Sequence, residues 1–490
     1  MFFHFKSPED YIVLGKTGPF WFFPTYKIPQ KDRGDQKHVV GTTGKGKSKL
    51  LEHMIFQDIV NNRGVALVDP HGNLADDTLS YLGTTSYFND QSNLKRLVYI
   101  NPSRRDYSPG INLLELQENE DPAEHANDII EVFKRNWRLD TAPIFEDIMF
   151  NALMVLIASK LTIMELPRVI TDRGYRNSLL SKTKDPSVHH FFKERFEKWP
   201  KREQTIRVES TLNKVSRLIG SERLRNIFGQ AESTINFRDI LDKGLVLIVD
   251  LSSLSELSAR LFGGFITTLI QQATMARRTR RDFFEYLDEF QLFVSHEGGS
   301  KTFSKILAEA RKRHLYLILA HQQLSQLDEQ MRGALGNVGT LVCFGIDRSD
   351  AEIQAKRIFL PHGEDIKEKA KRDSQYPLYF SLYENLEKNI QALDKRTLSP
   401  RWAYVVSKQR RAALIKTIEV IDTGFSKKHL EEVKEFSASK HSRLYKEIRK
   451  EIEERFDYSN NGNILVKDWE PLKKPDKTDF LVLPPRGRFN

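Results

Sequence analysis

Gly41-Thr42-Thr43-Gly44-Lys45-Gly46-Lys47-Ser48 is the stretch on which the fold turns. It follows the short strand expected at 38–40 and opens Lys47–Val60, whose apolar residues recur at helical spacing. The octapeptide fits G-x-x-x-x-G-K-S/T between a strand and a helix, the context such a loop requires. Its glycines let successive backbone N–H groups turn inward around phosphate oxygens. The helix N-terminus adds partial positive charge at the same point. Lys47 is expected to reach the β- and γ-phosphates of ATP, and the Ser48 hydroxyl to ligate Mg²⁺. Gly41, Thr42, Thr43, Gly44, Lys45 and Gly46 supply the cradle.

Outward from this loop the chain reads as α/β. Strands are expected at 38–40, 65–68 and 98–100, with helices between them, which implies a parallel sheet. From about Pro122 the pattern turns helical, over 123–137, 143–161 and 185–199. Strands return at 246–249, 283–287, 315–319 and 340–344. The simplest architecture is one α/β domain (38–115 and 236–405) interrupted by an all-α insertion (116–235). A short β-like segment, 1–37, with runs at 11–14 and 20–23, precedes it. A charged extension, 406–490, follows, with a helix expected over 429–456. Residues 168–230 carry 15 Lys/Arg against 7 Asp/Glu, so most of the excess positive charge lies in the helical part.

Three further sites carry chemistry. The run Phe283-Phe284-Glu285-Tyr286-Leu287-Asp288-Glu289 is a strand ending in two carboxylates. Asp288 is expected to hold Mg²⁺ through water and Glu289 to polarise the attacking water. Glu285 interrupts the apolar run. The strand 315–319 leads to His321-Gln322-Gln323, and ligands of open α/β sheets sit beyond such carboxyl ends. An amide there bonds the γ-phosphate or orients water; Gln322 is the stronger candidate and Gln323 stays open. Arg311-Lys312-Arg313 precede that strand. By charge pattern alone a solvated helix end is the better reading, against an arginine finger reaching a neighbouring subunit.

The 490-residue chain has a formal net charge of +10, which favours anionic partners. A single cysteine, Cys343, excludes a disulfide framework and multi-cysteine metal sites, and it suits a reducing cytosol. The longest apolar stretch, about 148–158, is too short to span a bilayer. Arg277, Arg278, Arg280 and Arg281 read as a helix-end cap in preference to a DNA-channel lining.

The ordered motifs GTTGKGKS, VALVDPHG, LVLIVDLSS, EYLDEFQLF, EARKRHLYLILAHQQLSQL and GNVGTLVCFGIDRSDAE resemble the HerA–FtsK superfamily of hexameric P-loop motors. Within it they are most similar to the TraG/TraD-type coupling ATPases of type IV secretion, over roughly residues 35–360. The resemblance implies a RecA-like core with an inserted all-α domain, ATP and Mg²⁺ as cofactors, DNA as the substrate, and assembly into homo-hexamers. By the same resemblance Lys47 and Ser48 match the phosphate-loop pair, Asp288 and Glu289 the metal and water carboxylates, Gln322 the sensor and Arg311 the trans arginine. Coupling proteins of that type usually begin with transmembrane helices and HerA with a β-barrel, and here 40 residues precede Gly41. The expectation is a cytoplasmic motor that docks on a relaxase, a nuclease or a membrane-anchored secretion partner.

Overall fold

The computed structural model describes residues 11–18, 24–116, 118, 120–137, 142–294, 307, 309–359, 378–407, 411–420 and 424–456. Its strands are β1 (Tyr11–Lys16), β2 (Thr25–Pro29), β3 (Lys37–Val40), β4 (Gly64–Asp69), β5 (Leu97–Ile100), β6 (Tyr107–Ser108), β7 (Val246–Asp250), β8 (Phe283–Leu287), β9 (Leu315–His321), β10 (Thr340–Cys343), β11 (Trp402–Ser407), β12 (Ala413–Thr417) and β13 (Arg443–Leu444). Eleven of them form one sheet, in the order β2-β1-β12-β11-β10-β3-β9-β8-β4-β7-β5. From β10 to β5 every neighbouring pair is parallel. From β10 outward to β2 every pair is antiparallel.

The parallel strands are buried along their whole length, because helices cover both faces. That is why they read as unbroken apolar runs rather than alternating ones. Helices Lys47–Val60 and Asn73–Thr84 cover one face, where Ile55, Leu67, Leu79 and Tyr286 share a core. Helix Glu256–Ala276 lies on the other, packed against Pro122–Trp137 through Phe265 and Phe133, whose rings meet edge-on at 5.6 Å. One apolar cluster runs without a break from Ala66 and Val68 of the sheet into Leu153 and Phe192 of the helical part. The exposed edge of β5 is covered by helix Lys427–His441. Its Ser437 hydroxyl donates to the Leu97 carbonyl at 2.9 Å and accepts from the Tyr99 N–H at 2.8 Å, replacing a missing strand.

Several elements differ from the sequence expectation. The run at 20–23 lies outside the described residues, and the second N-terminal strand is β2. Strands β1 and β2 do not stand apart: they join the main sheet through β12. The helix expected over 185–199 is present, but its winding changes along it: α-helical over Pro186–His190, a wide π turn over Phe191–Arg195 and a tight 3-10 turn over Phe196–Lys198. Phe191, Phe192, Phe196 and Trp199 gather there as one aromatic cluster, on the turns where the winding changes. The long helix of this region is Lys201–Gly220. The charged helix at 429–456 is two helices, Lys427–His441 and Tyr445–Phe456, parted by the β13 bridge to β6.

Candidate nucleotide site

β3 delivers the chain to Gly41. A Cβ there would meet the Phe344 Cβ at 2.6 Å, so only glycine allows the loop to leave between β9 and β10. Gly46, with φ at 104°, turns the chain into helix Lys47–Val60, and no side chain caps that helix. The first N–H groups of the helix have no partner within it and lie beside Lys47. The loop is held from behind. The Thr42 N–H and hydroxyl both donate to the Gly345 carbonyl at 3.0 Å. The Arg401 N–H donates to the Lys45 carbonyl at 2.8 Å. Lys45 turns its ammonium away from the cradle, to the carbonyls of Leu398, at 2.9 Å, and Lys395. Its N–H closes a turn onto Thr42 at 3.3 Å.

Strand order brings the remaining groups together. β9 lies between β3 and β8, so its tip stands between the loop and the acidic pair. Lys47 Nζ donates to Glu289 Oε1 at 2.7 Å and lies 3.7 Å from Asp288 Oδ1. Gln322 Nε2 donates to the same Glu289 oxygen at 2.9 Å, and Gln322 Oε1 accepts from the Thr43 hydroxyl at 3.0 Å. Gln323 points elsewhere, to Asp347 at 3.2 Å, so of the two amides Gln322 is the one in contact with Glu289. Ser48 is exposed at the first turn of the helix.

The two carboxylates differ electrically. Burial pushes Asp288 up to about 6, against the pull of Lys47. Glu289 is also pushed up by burial, but the Lys47 charge and the bonds from Lys47, Gln291 and Gln322 outweigh it and hold Glu289 below its ordinary value. No motif in the sequence marks Gln291. It donates to Glu289 Oε2 at 2.7 Å, so each oxygen of Glu289 has a fixed amide partner. The left-handed backbone at Glu289, φ 49°, folds the chain back to make this contact, and no residue pattern announces it.

Arg311 is not part of this cluster. It lies in a tight turn before β9, at the far end of that strand from Gln322, exposed and paired with Asp35 at 2.9 Å. Across the seven residues of β9 the separation is roughly 20 Å. Arg277, Arg278 and Arg281 are engaged locally. Arg281 donates to the carbonyl of Lys243, the last residue of helix Phe237–Lys243, at 3.0 Å, and Arg278 pairs with Glu118. The donor set fits a magnesium nucleotide: a buried cation, an uncapped helix start, a hydroxyl and an oxygen-bearing carboxylate. Among the described residues no cluster of His, Cys, Asp and Glu could hold a metal by itself.

Fold and site together define a RecA-like P-loop protein, with an eleven-stranded, largely parallel sheet and the phosphate loop at its centre. Residues 37–270, just under half the chain, match the family described as Helicase HerA, central domain. No curated protein matches the sequence. The plasmid coupling protein TrwB, solved with ADP and Mg²⁺, superposes with a TM-score of 0.55 at 16% identity, over 81% of this chain and 89% of that one. VirB4 of Thermoanaerobacter pseudethanolicus superposes with a TM-score of 0.56 at 13% identity, over 85% of this chain and 98% of that one. The resemblance to HerA–FtsK P-loop ATPases is borne out by these matches, and at such identities the solved structures speak for the fold. Among the described residues no helix is long and apolar enough to cross a membrane.

Proposed function

We propose that this chain is an ATP-driven motor that pumps DNA through a homo-hexameric ring in conjugative transfer or mobilisation. In this reading it is cytoplasmic and recruited to the inner membrane face by a secretion partner. The observation that carries the ATPase reading is the meeting of Lys47, Gln322 and Glu289 at the tips of β3, β9 and β8. Ser48 and Asp288 would hold Mg²⁺, which when bound neutralises charge on the β- and γ-phosphates. Lys47 leaves Glu289 for the phosphates. Glu289, freed of that ammonium but still held by Gln291, takes a proton from the attacking water. Gln322 orients that water from its anchor on Thr43. The catalytic set is then Lys47, Glu289 and Gln322, with Arg311 supplied by a neighbouring subunit. As a domain plan, 38–115 and 236–405 form the nucleotide-binding core and 116–235 the insertion.

DNA as the substrate is supported by the positive charge of 168–230 and by the helicase character of the matched family. A second reading, a secretion-assembly ATPase that acts on proteins, is favoured by the equal likeness to VirB4. ATPase rates with and without double- and single-stranded DNA separate the two. Stimulation by DNA supports the motor; activity indifferent to both forms of DNA supports the protein-directed reading. In either, Lys47→Ala abolishes hydrolysis, because the phosphates lose their buried cation.

A further inference from the structure

Two histidines meet directly beneath the nucleotide site. His38 lies on β3, ahead of the phosphate loop, and His321 ends β9, directly before Gln322. Both are fully buried. Their Nε2 atoms are 2.6 Å apart, the ring planes differ by 6°, and the ring centroids are 4.8 Å apart. The centroid separation exceeds the nitrogen separation by about two ring radii, so the two nitrogens face each other along the line joining the rings. The contact is an in-plane N–H···N hydrogen bond, not a face-to-face stack.

Neighbouring groups fix which nitrogen carries the proton. His321 Nδ1 lies 3.1 Å from the Gln323 carbonyl oxygen. A carbonyl only accepts, so His321 Nδ1 is the protonated nitrogen. Neutral His321 then offers a lone pair at Nε2, and His38 Nε2–H is the donor. His38 Nδ1 keeps its lone pair and has no hydrogen-bond partner among the described residues. Both rings are neutral. Burial pushes His321 down to about 4, and burial with the nearby His321 and Arg357 holds His38 far below its ordinary value.

An apolar pair would fill this layer without leaving a buried nitrogen unbonded, so packing alone does not explain two imidazoles. What the polar bond adds is register. The strand ladder ends here with a long bond, from the Gly41 N–H to the His321 carbonyl at 3.3 Å. The imidazole bond ties the same two strand ends from the side. Phe290, next to Glu289, sits edge-on to the His321 ring at 5.3 Å. The pair therefore joins the strand that enters the phosphate loop, the residue before the sensor amide and the residue after the acidic pair.

We propose that His38 and His321 form a positioning pair, which sets the tip of β9 so that the Gln322 amide spans Thr43 and Glu289. This rests on the ATPase reading above. The rings act through Gln322 and reach neither nucleotide nor water.

Substitution at position 38 tests it. The Nε2 of a glutamine reaches about where the imidazole Nε2 lies and carries a hydrogen to donate, whereas an asparagine is one bond too short. His38→Gln is expected to keep kcat within about threefold of wild type, and His38→Asn to lose about tenfold or more in kcat. Affinity for a fluorescent ATP analogue is expected to stay within about threefold in both. Asparagine and glutamine variants that both match wild type overturn the proposal, and so does a His38→Asn whose affinity and thermal stability fall along with kcat. Ring-nitrogen NMR of the wild-type chain is an independent readout that needs no variant to fold. It is expected to show one neutral ring protonated at Nε2 and one at Nδ1, and a charged ring at neutral pH overturns the pair. A wild-type chain inert towards ATP with and without DNA sinks the ATPase reading and the pair's role with it. An active wild type with an equally active His38→Asn sinks the pair's role alone.

Discussion

Glu289 is held by three groups at once, and its left-handed backbone costs on the order of 1–3 kcal/mol. The strain is tolerated because it aims the carboxylate at Lys47. That ion pair must break before Lys47 can serve a phosphate. Glu289→Gln is therefore expected to do two opposite things. Hydrolysis stops, because an amide takes no proton from water. Nucleotide binds tighter, by about threefold or more, because Lys47 no longer leaves a carboxylate. Titration with a fluorescent ATP analogue in Mg²⁺ checks the second effect, and unchanged or weaker binding counts against the Lys47–Glu289 lock. Four residues earlier, Glu285 lies between Ala66 and Leu317 on the parallel sheet, fully buried. Burial raises its carboxyl from an ordinary 4.5 to about 8. Between those values the folded chain keeps a proton that the unfolded chain releases, so this group's contribution to stability falls as pH rises, by about 1.4 kcal/mol per unit at most. Glu285→Gln, neutral at every pH, should melt progressively higher than wild type as pH goes from 5 to 8. Parallel melting curves across that window would show that Glu285 is not buried as an acid.

Strand order converts separate motifs into a site. The strand and helix types around the phosphate loop and the acidic pair were legible in the sequence, because parallel strands buried on both faces leave unbroken apolar runs. Their order was not. Nothing in 283–289 or 315–323 states that β9 inserts between β3 and β8, so the Thr43–Gln322–Glu289 chain could not be read. Choosing between Gln322 and Gln323 likewise depends on how the chain turns after β9. The helix at 186–198 was legible as a helix, but not its change of winding at Phe191–Arg195, where four aromatic rings gather. That segment and the start of helix Lys201–Gly220 bear on the DNA reading. Arg207 stacks over Trp199 at 4.3 Å and Lys214 lies over Phe145, so reversing either charge would disturb packing as well as charge. Lys193, Lys201 and Arg202 are exposed. Changing all three to glutamate should weaken DNA binding at low salt and flatten the dependence of log K on log salt by about 0.9 for each phosphate that the variant no longer neutralises. An unchanged slope takes this face out of the DNA path. The turn before β11 makes a separate contribution through Lys45. Lys45→Ala should weaken ATP binding by about three- to tenfold and spare kcat at saturation, because an untethered loop must be ordered on binding. Equal affinity in the variant would mean that the Arg401 bond suffices to hold the loop.

Arg311 and Gln322 occupy opposite ends of β9. No side chain spans that distance, so within one chain Arg311 cannot act on the site its own β9 completes. If Arg311 takes part in hydrolysis, it must do so at the site of a neighbouring copy. Its exposure leaves it available to one, and its pairing with Asp35 gives it a fixed direction. Arg311 is exposed but Asp35 is buried, so Arg311→Ala takes a cation away from a buried carboxylate and should melt below wild type, and a loss of rate has a catalytic meaning where the variant is still folded at the assay temperature. A finger supplied in trans contributes about a thousandfold or more to turnover. The ATPase rate per chain should therefore rise with protein concentration in the wild type and stay low at every concentration in Arg311→Ala. Mixing Arg311→Ala with Lys47→Ala should recover some activity, because some interfaces then join an intact phosphate loop to an intact arginine. Strict coordination around a ring would suppress that recovery, so the single variant is the cleaner measurement. An Arg311→Ala protein that assembles like wild type and hydrolyses ATP at the wild-type rate would make Arg311 a surface charge. It would also move the search to Arg313, which in this chain donates to the Met275 carbonyl at 3.1 Å and would have to give up that bond to reach across an interface.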